Sequence, residues 1–133
     1  MKGVRYLDQM QDFRNLAVWQ KAHLLSLNIH RLSLGVPRQG NAAFISQIRR
    51  AAESIPANIA EGSGRGTDAD FARFLQIAIG SSSELESHLQ FAADTEMVAS
   101  EHAKARLGEV IEVRRMLIGL RKRLSPSGKA RSL

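Results

Sequence analysis

Residues 45–65 read ISQIRRAAESIPANIAEGSGR, and the spacing of their apolar side chains decides the fold. Ile45, Ile48, Ala52, Ile55 and Ile59 recur at alternating intervals of three and four, the period of one helix face. Pro56 interrupts this pattern. It lacks the amide that would bond the Ala52 carbonyl, and its ring crowds that oxygen, a cost of about 3 kcal/mol in a straight helix. Because the stripe continues through Ile59, the spacing predicts one bent helix over 42–62 rather than two separate ones. Asn58, two residues beyond the proline, falls near the buried edge. There its amide would bond the disturbed backbone or a neighbouring helix and fix register. Glu61 sits at the unfavourable end of the helix dipole and so asks for a basic partner, with Arg65 in reach. Gly62 and Gly64 then supply a left-handed C-cap and a tight turn.

Three further helices lie on either side of this one. Asn15 is placed to cap a first helix over 16–34, in which Val18, Ala22, Leu25, Ile29 and Leu32 form one stripe. Leu24, Leu27 and Leu34 form a second stripe beside it, close to Trp19. A bundle seam needs one stripe, so two imply burial on two sides, at the centre of the fold or at a subunit contact. GVPRQGN (35–41) reads as a turn with Asn41 as the next cap. Thr67 with Asp70 matches a capping pattern and opens a helix over 68–94, whose stripe is Phe71, Leu75, Ala78, Ser82, Leu85, Leu89 and Ala92. Within it, Gly80 costs about 1 kcal/mol relative to alanine. The small residues Ala78, Gly80, Ser81, Ser82 and Ser83 imply that another backbone packs closely there. Ser100 is placed to cap a last helix over 101–124, with Leu107, Val110, Val113, Leu117, Leu120 and Leu124 inward. Short connections make sequential helices antiparallel. The expectation is an all-α, up-down-up-down four-helix bundle over residues 1–124, followed by a basic tail (125–133) expected to be disordered.

The 133-residue chain has no cysteine, which excludes disulfides, thiolate metal sites and cysteine nucleophiles. Its first ten residues carry no apolar leader core, and no run approaches the ~18 apolar residues of a membrane span, so a cytoplasmic address without membrane contact is expected. The net charge of +6 is unevenly distributed. Residues 1–50 hold eight Lys/Arg against two acids, residues 53–101 nine acids against two Arg, and residues 104–131 nine Lys/Arg against two acids. Either the acidic middle faces basic neighbours within the fold or across a subunit contact, or some basic surface stays free to attract a polyanion.

Catalytic and cofactor chemistry finds little purchase. GSGRGT follows a helix rather than a strand, and its glycine spacing fits neither a P-loop nor a dinucleotide turn. Asp68 and Asp70 already occupy the positive pole of the helix that follows it. His23, His30, His88 and His102 have no acid three residues before or after them, so the Glu-x-x-His pairs of di-iron bundles are missing. Glu84 and His88 share a face, as a solvated contact would. No G-x-S-x-G elbow is present. The reading is therefore a chain that is not an enzyme and holds no metal or cofactor. The basic residues are the stronger lead. Arg49 and Arg50 lie off the apolar stripe of their helix, and Arg114, Arg115, Arg121, Lys122 and Arg123 crowd the last one. A phosphate-directed, sequence-independent contact with RNA or DNA fits them, whereas 5% aromatics argues against base stacking. The rival reading is a scaffold whose charges serve self-assembly and a protein partner.

Three blocks in order, LAVWQKAH, QIRRAAESIPANIAEGSGR and FARFLQIAIGSSSELESHL, resemble the four-helix-bundle proteins encoded in intervening sequences of bacterial large-subunit ribosomal RNA genes. The resemblance covers about residues 13–92; the last helix matches only in character and the tail does not. It implies a four-helix bundle assembled into a homopentameric ring. It also extends to the related accessory variability protein of diversity-generating retroelements, which partners a reverse transcriptase and binds nucleic acid. It implies no catalytic residue.

Overall fold

The structure, a computed structural model, describes residues 12–124. The expectations for the N-terminal eleven residues and for the tail lie outside that range. A short 3-10 turn, Phe13–Asn15, leads into α1 (Ala17–Leu34), α2 (Ala42–Ser63), α3 (Asp68–Asp94) and α4 (Ser100–Arg123). Each helix packs on its sequence neighbour, and α1 closes the bundle against α4. Thus α1 lies diagonally across from α3, and α2 across from α4.

The 3,4 stripes form the core. All seven stripe residues of α3 are buried, as are Ile45, Ile48, Ala52, Ile55 and Ile59 of α2. Val18, Ala22, Leu25 and Ile29 meet them from α1, and Val110, Val113 and Leu117 from α4. Leu32, Leu107, Leu120 and Leu124 are half-buried at the margin. The α2 stripe is wider than its isoleucines suggest, because Ala51, Pro56, Gly62 and Ser63 are buried too. The helix runs unbroken through Pro56.

The helix ends depart from the sequence reading. Asn15 is not the cap of α1. It belongs to the 3-10 turn, its Nδ2 donates to Asp12 Oδ2 at 2.9 Å, and Leu16 holds the N-cap position without a side-chain bond. Ser100 is the first residue of α4 rather than its cap; the Ala99 carbonyl accepts from the amides of His102 and Ala103. Asn41 stands at the N-cap position of α2, but its Nδ2 is committed to the Pro37 carbonyl at 2.9 Å. Only Thr67 caps through its side chain as the pattern implied, its Oγ1 accepting from the Asp70 amide at 3.2 Å.

The glycines also serve other ends. Gly64 has φ −83°, so no left-handed C-cap closes α2; Ser63 Oγ instead donates to the Ala60 carbonyl at 2.9 Å. Gly62 is needed for space. A Cβ there would lie 2.7 Å from Phe74 Cβ and 2.9 Å from Phe71 Cδ1, so the missing side chain lets α2 and α3 close on each other. At Gly80 the expectation of close packing fails within the chain, since nothing lies within 4 Å of a Cβ built on it.

Candidate nucleic-acid interface

Two basic surfaces emerge, at opposite ends of the bundle. The first is on α2 and the turn before it. Arg38, Arg49 and Arg50 line an open groove of about 520 Å³ together with Ser46, Glu53, Ser54 and Ala57. Arg49 is half-buried, and its Nε donates to Ser33 Oγ at 2.7 Å, which ties α2 to the end of α1. Arg38 and Arg50 are exposed, and neither makes an ion pair with the described residues. Arg38 was missed in the sequence because GVPRQGN reads as a turn, and only the fold brings that turn beside Arg50.

The second surface lies where α4 ends beside the start of α1. Arg115 and Arg123 flank a groove of about 440 Å³ whose apolar walls are Leu16, Val18, Met116 and Leu120. Lys122 is exposed and Arg121 half-exposed. None of Arg115, Arg121, Lys122 or Arg123 is ion-paired among the described residues. Ser33 and Leu16 mark the two ends of α1, so the surfaces are separated by about 25 Å along the bundle at 1.5 Å per residue.

Arg114 is the odd member of the set. Its guanidinium points into the α3–α4 seam, where Nε donates to Ser82 Oγ at 2.9 Å and Nη2 reaches both the Ser82 carbonyl and Glu86. That arrangement uses its charge inside the fold. The acids of α3 are thus partly matched by α4, while the terminal arginines have no such neighbour.

The remaining motif residues are structural in their contacts. Asn58 Nδ2 donates to the Ser54 carbonyl at 2.8 Å and to Ser54 Oγ at 3.0 Å. Ser54 Oγ in turn lies 2.7 Å from Ser81 Oγ, so the residues around Pro56 link α2 to α3. Glu61 pairs with Arg65 at 3.0 Å, and the Arg65 and Arg73 guanidiniums both lie over the Phe74 ring, at 4.8 and 4.5 Å. Among the described residues no three His, Asp or Glu side chains converge in a way that could hold a metal ion, and no helix is long and apolar enough to cross a membrane.

Fold and surface together define an all-helical four-helix bundle with basic ends. The chain belongs to the 23S rRNA-intervening sequence protein family, which it matches over residues 14–119. It is also similar to a crystal structure of a protein of unknown function from the S23 ribosomal protein family of Bacteroides thetaiotaomicron. There the TM-score is 0.75 at 29% sequence identity, covering 80% of this chain and 99% of the other. No curated protein matches.

Proposed function

We propose that this chain is a non-enzymatic, cytoplasmic, self-associating bundle that binds RNA or DNA through its basic ends, without base specificity. The observation that supports this reading is the set of exposed cations without acidic partners among the described residues: Arg38 and Arg50 at one end, Arg115, Lys122 and Arg123 at the other. Guanidinium groups left free in this way suit phosphate oxygens. The two surfaces lie on diagonal helices at opposite ends, so one protomer presents only one of them to a given stretch of strand. Repetition of a surface around a ring, five copies being the number the family resemblance implies, would raise avidity for long strands over short ones.

The exposed leucines of α1 favour a second reading, a protein-interaction scaffold in which apolar faces hold a protein partner and the charges only steer assembly. Fluorescence anisotropy with long and short RNA and DNA at about 50 mM salt separates the two. The proposal expects tighter binding to long strands, indifference to base sequence and steep loss of affinity with salt. Wild-type protein that leaves long strands unbound under these conditions would overturn the nucleic-acid reading and favour the scaffold.

A further inference from the structure

We infer that unpaired bases of a single-stranded RNA or DNA stack on an aromatic ladder, Phe13–Trp19–His23, at the start of α1. The inference rests on the nucleic-acid binding in the proposed function and names the form of strand that is bound. The Phe13 ring meets the Trp19 indole edge-on, with centroids 5.0 Å apart and planes at 60°. The His23 imidazole then lies flat on Trp19, 4.7 Å away and 10° from parallel. Residues four apart share a helix face, and helical side chains lean toward the N-terminus, which lays His23 over Trp19. Trp19 is half-buried and packs against the core, so the ladder has a fixed base. His23 is exposed and forms the outer rung. One face of its ring is covered by the indole, and the other is left for a ring from outside.

Such a rung suits a nucleobase. Every base has a π-face, so stacking on a side-chain ring accepts unpaired bases of any sequence. Bases within a duplex are already stacked on one another, and only an unpaired base can be laid against a protein ring. Composition alone pointed away from stacking, because aromatics are few. The fold makes one platform from two of them and a histidine.

Charge selects this cluster over the other aromatic one. Phe44, His88 and Phe91 also meet, across α2 and α3. There, however, Glu84 lies 3.4 Å from His88 and Asp94 is exposed three residues beyond Phe91, and both carboxylates repel a phosphate backbone. At the ladder the exposed Arg14 guanidinium lies 4.8 Å over the Phe13 ring, with no ion pair among the described residues. Helix α1 carries no acid, and Asp12 before the turn is bonded to Asn15. Leu16, Ala17 and Val18, between Phe13 and Trp19 in the chain, line the groove that Arg115 and Arg123 flank. Ladder and groove therefore share the first turns of α1, about one helix diameter or 10–12 Å apart. A strand whose phosphates pass Arg115 and Arg123 brings its bases to His23.

The test titrates full-length protein, by fluorescence anisotropy, into oligo(dT), an abasic DNA strand of the same length, and a duplex of that length. The abasic strand keeps the phosphates and lacks the bases. Wild type should hold oligo(dT) about tenfold more tightly than the abasic strand, within the range for one stacked base. His23→Ala should erase that difference, with abasic-strand and duplex affinity unchanged. His23→Phe keeps a ring without the imidazole nitrogens and should restore it, whereas Phe91→Ala should match wild type throughout. Oligo(U) should lose the same factor on His23→Ala, and the tighter of the two wild-type affinities tells RNA from DNA. His23 and Phe91 are exposed, so circular dichroism should show every variant as helical as the parent. Equal wild-type affinity for oligo(dT) and the abasic strand, or a difference that survives His23→Ala, would overturn the stacking assignment and leave the phosphate contacts standing. Failure to bind any of these probes would overturn the nucleic-acid reading itself.

Discussion

Ser82 Oγ, fully buried on α3, accepts a 2.9 Å hydrogen bond from Nε of Arg114 on α4. The same guanidinium reaches the Ser82 carbonyl and Glu86, so one side chain holds most of the polar traffic across that seam. Arg114→Met keeps the aliphatic stem in place and removes the donors. Hydrogen bonds to a charged group are each worth about 1.5–3 kcal/mol, and partial exposure of the pair holds the total near the lower end. A loss of about 1.5–2 kcal/mol in urea denaturation is expected, with nucleic-acid affinity changed less than twofold. A large affinity loss in a protein of unchanged stability would return Arg114 to the binding surface.

Gly62 stands where a side chain would meet Phe74 Cβ at 2.7 Å and Phe71 Cδ1 at 2.9 Å. Gly62→Ala gains about 1 kcal/mol of helix propensity but forces α2 and α3 apart, and overpacking of this kind costs about 1–3 kcal/mol. The Phe74 Cβ cannot swing away as a side-chain tip could, so the clash should prevail. Net destabilisation of about 1–2 kcal/mol is expected by denaturant titration. A variant more stable than the parent would show that the seam has room to relax.

The polar chain Asn58–Ser54–Ser81 crosses the α2–α3 seam beside Pro56. Asn58→Ala removes two donated bonds at a half-buried site, for which about 1 kcal/mol is the expected cost. Ser81→Ala should cost about as much, since it removes the partner of the same Ser54 hydroxyl. Because the three side chains act together, the double variant should lose less than the sum of the single losses. Strict additivity in a double-mutant cycle would mean that the chain of bonds does not act as a unit.

Much of the fold was legible because apolar spacing is a strong, local signal. The buried set of α3 coincides with its sequence stripe, residue for residue, from Phe71 to Ala92. Caps were read poorly. Asn15 and Asn41 have the right chemistry at nearly the right place, but each donates its Nδ2 to a nearby carboxylate or carbonyl, which turns the amide by a local bond that sequence spacing does not reveal. Gly62 was recognised as special for the wrong reason, since the clash that demands glycine involves Phe71 and Phe74 across a turn. Among the basic residues, sequence showed which lie off the apolar stripe. It could not show that Arg114 would find Ser82 and Glu86 on α3, or that Arg38 would fold back beside Arg50, because both depend on how helices align across seams.

The end of α4 gives the sharpest test of the basic surfaces. Arg121, Lys122 and Arg123 form the last turn of α4 and carry no ion pair among the described residues. Charge reversal of all three to glutamate places acids at the negative end of a helix dipole, so a stability loss of about 1 kcal/mol is expected from that alone. Binding should respond far more. Each phosphate contact contributes about 0.9 to the slope of log affinity against log salt on a duplex, so losing two or three contacts should flatten the slope by about 2–3. Light scattering on the same sample should still show the wild-type oligomer. Arg38→Glu with Arg50→Glu is the matching test at the other end, and equal losses from both would mean that long strands engage both surfaces. If instead the α4 variant falls apart into single chains, its arginines serve assembly, and the scaffold reading takes precedence.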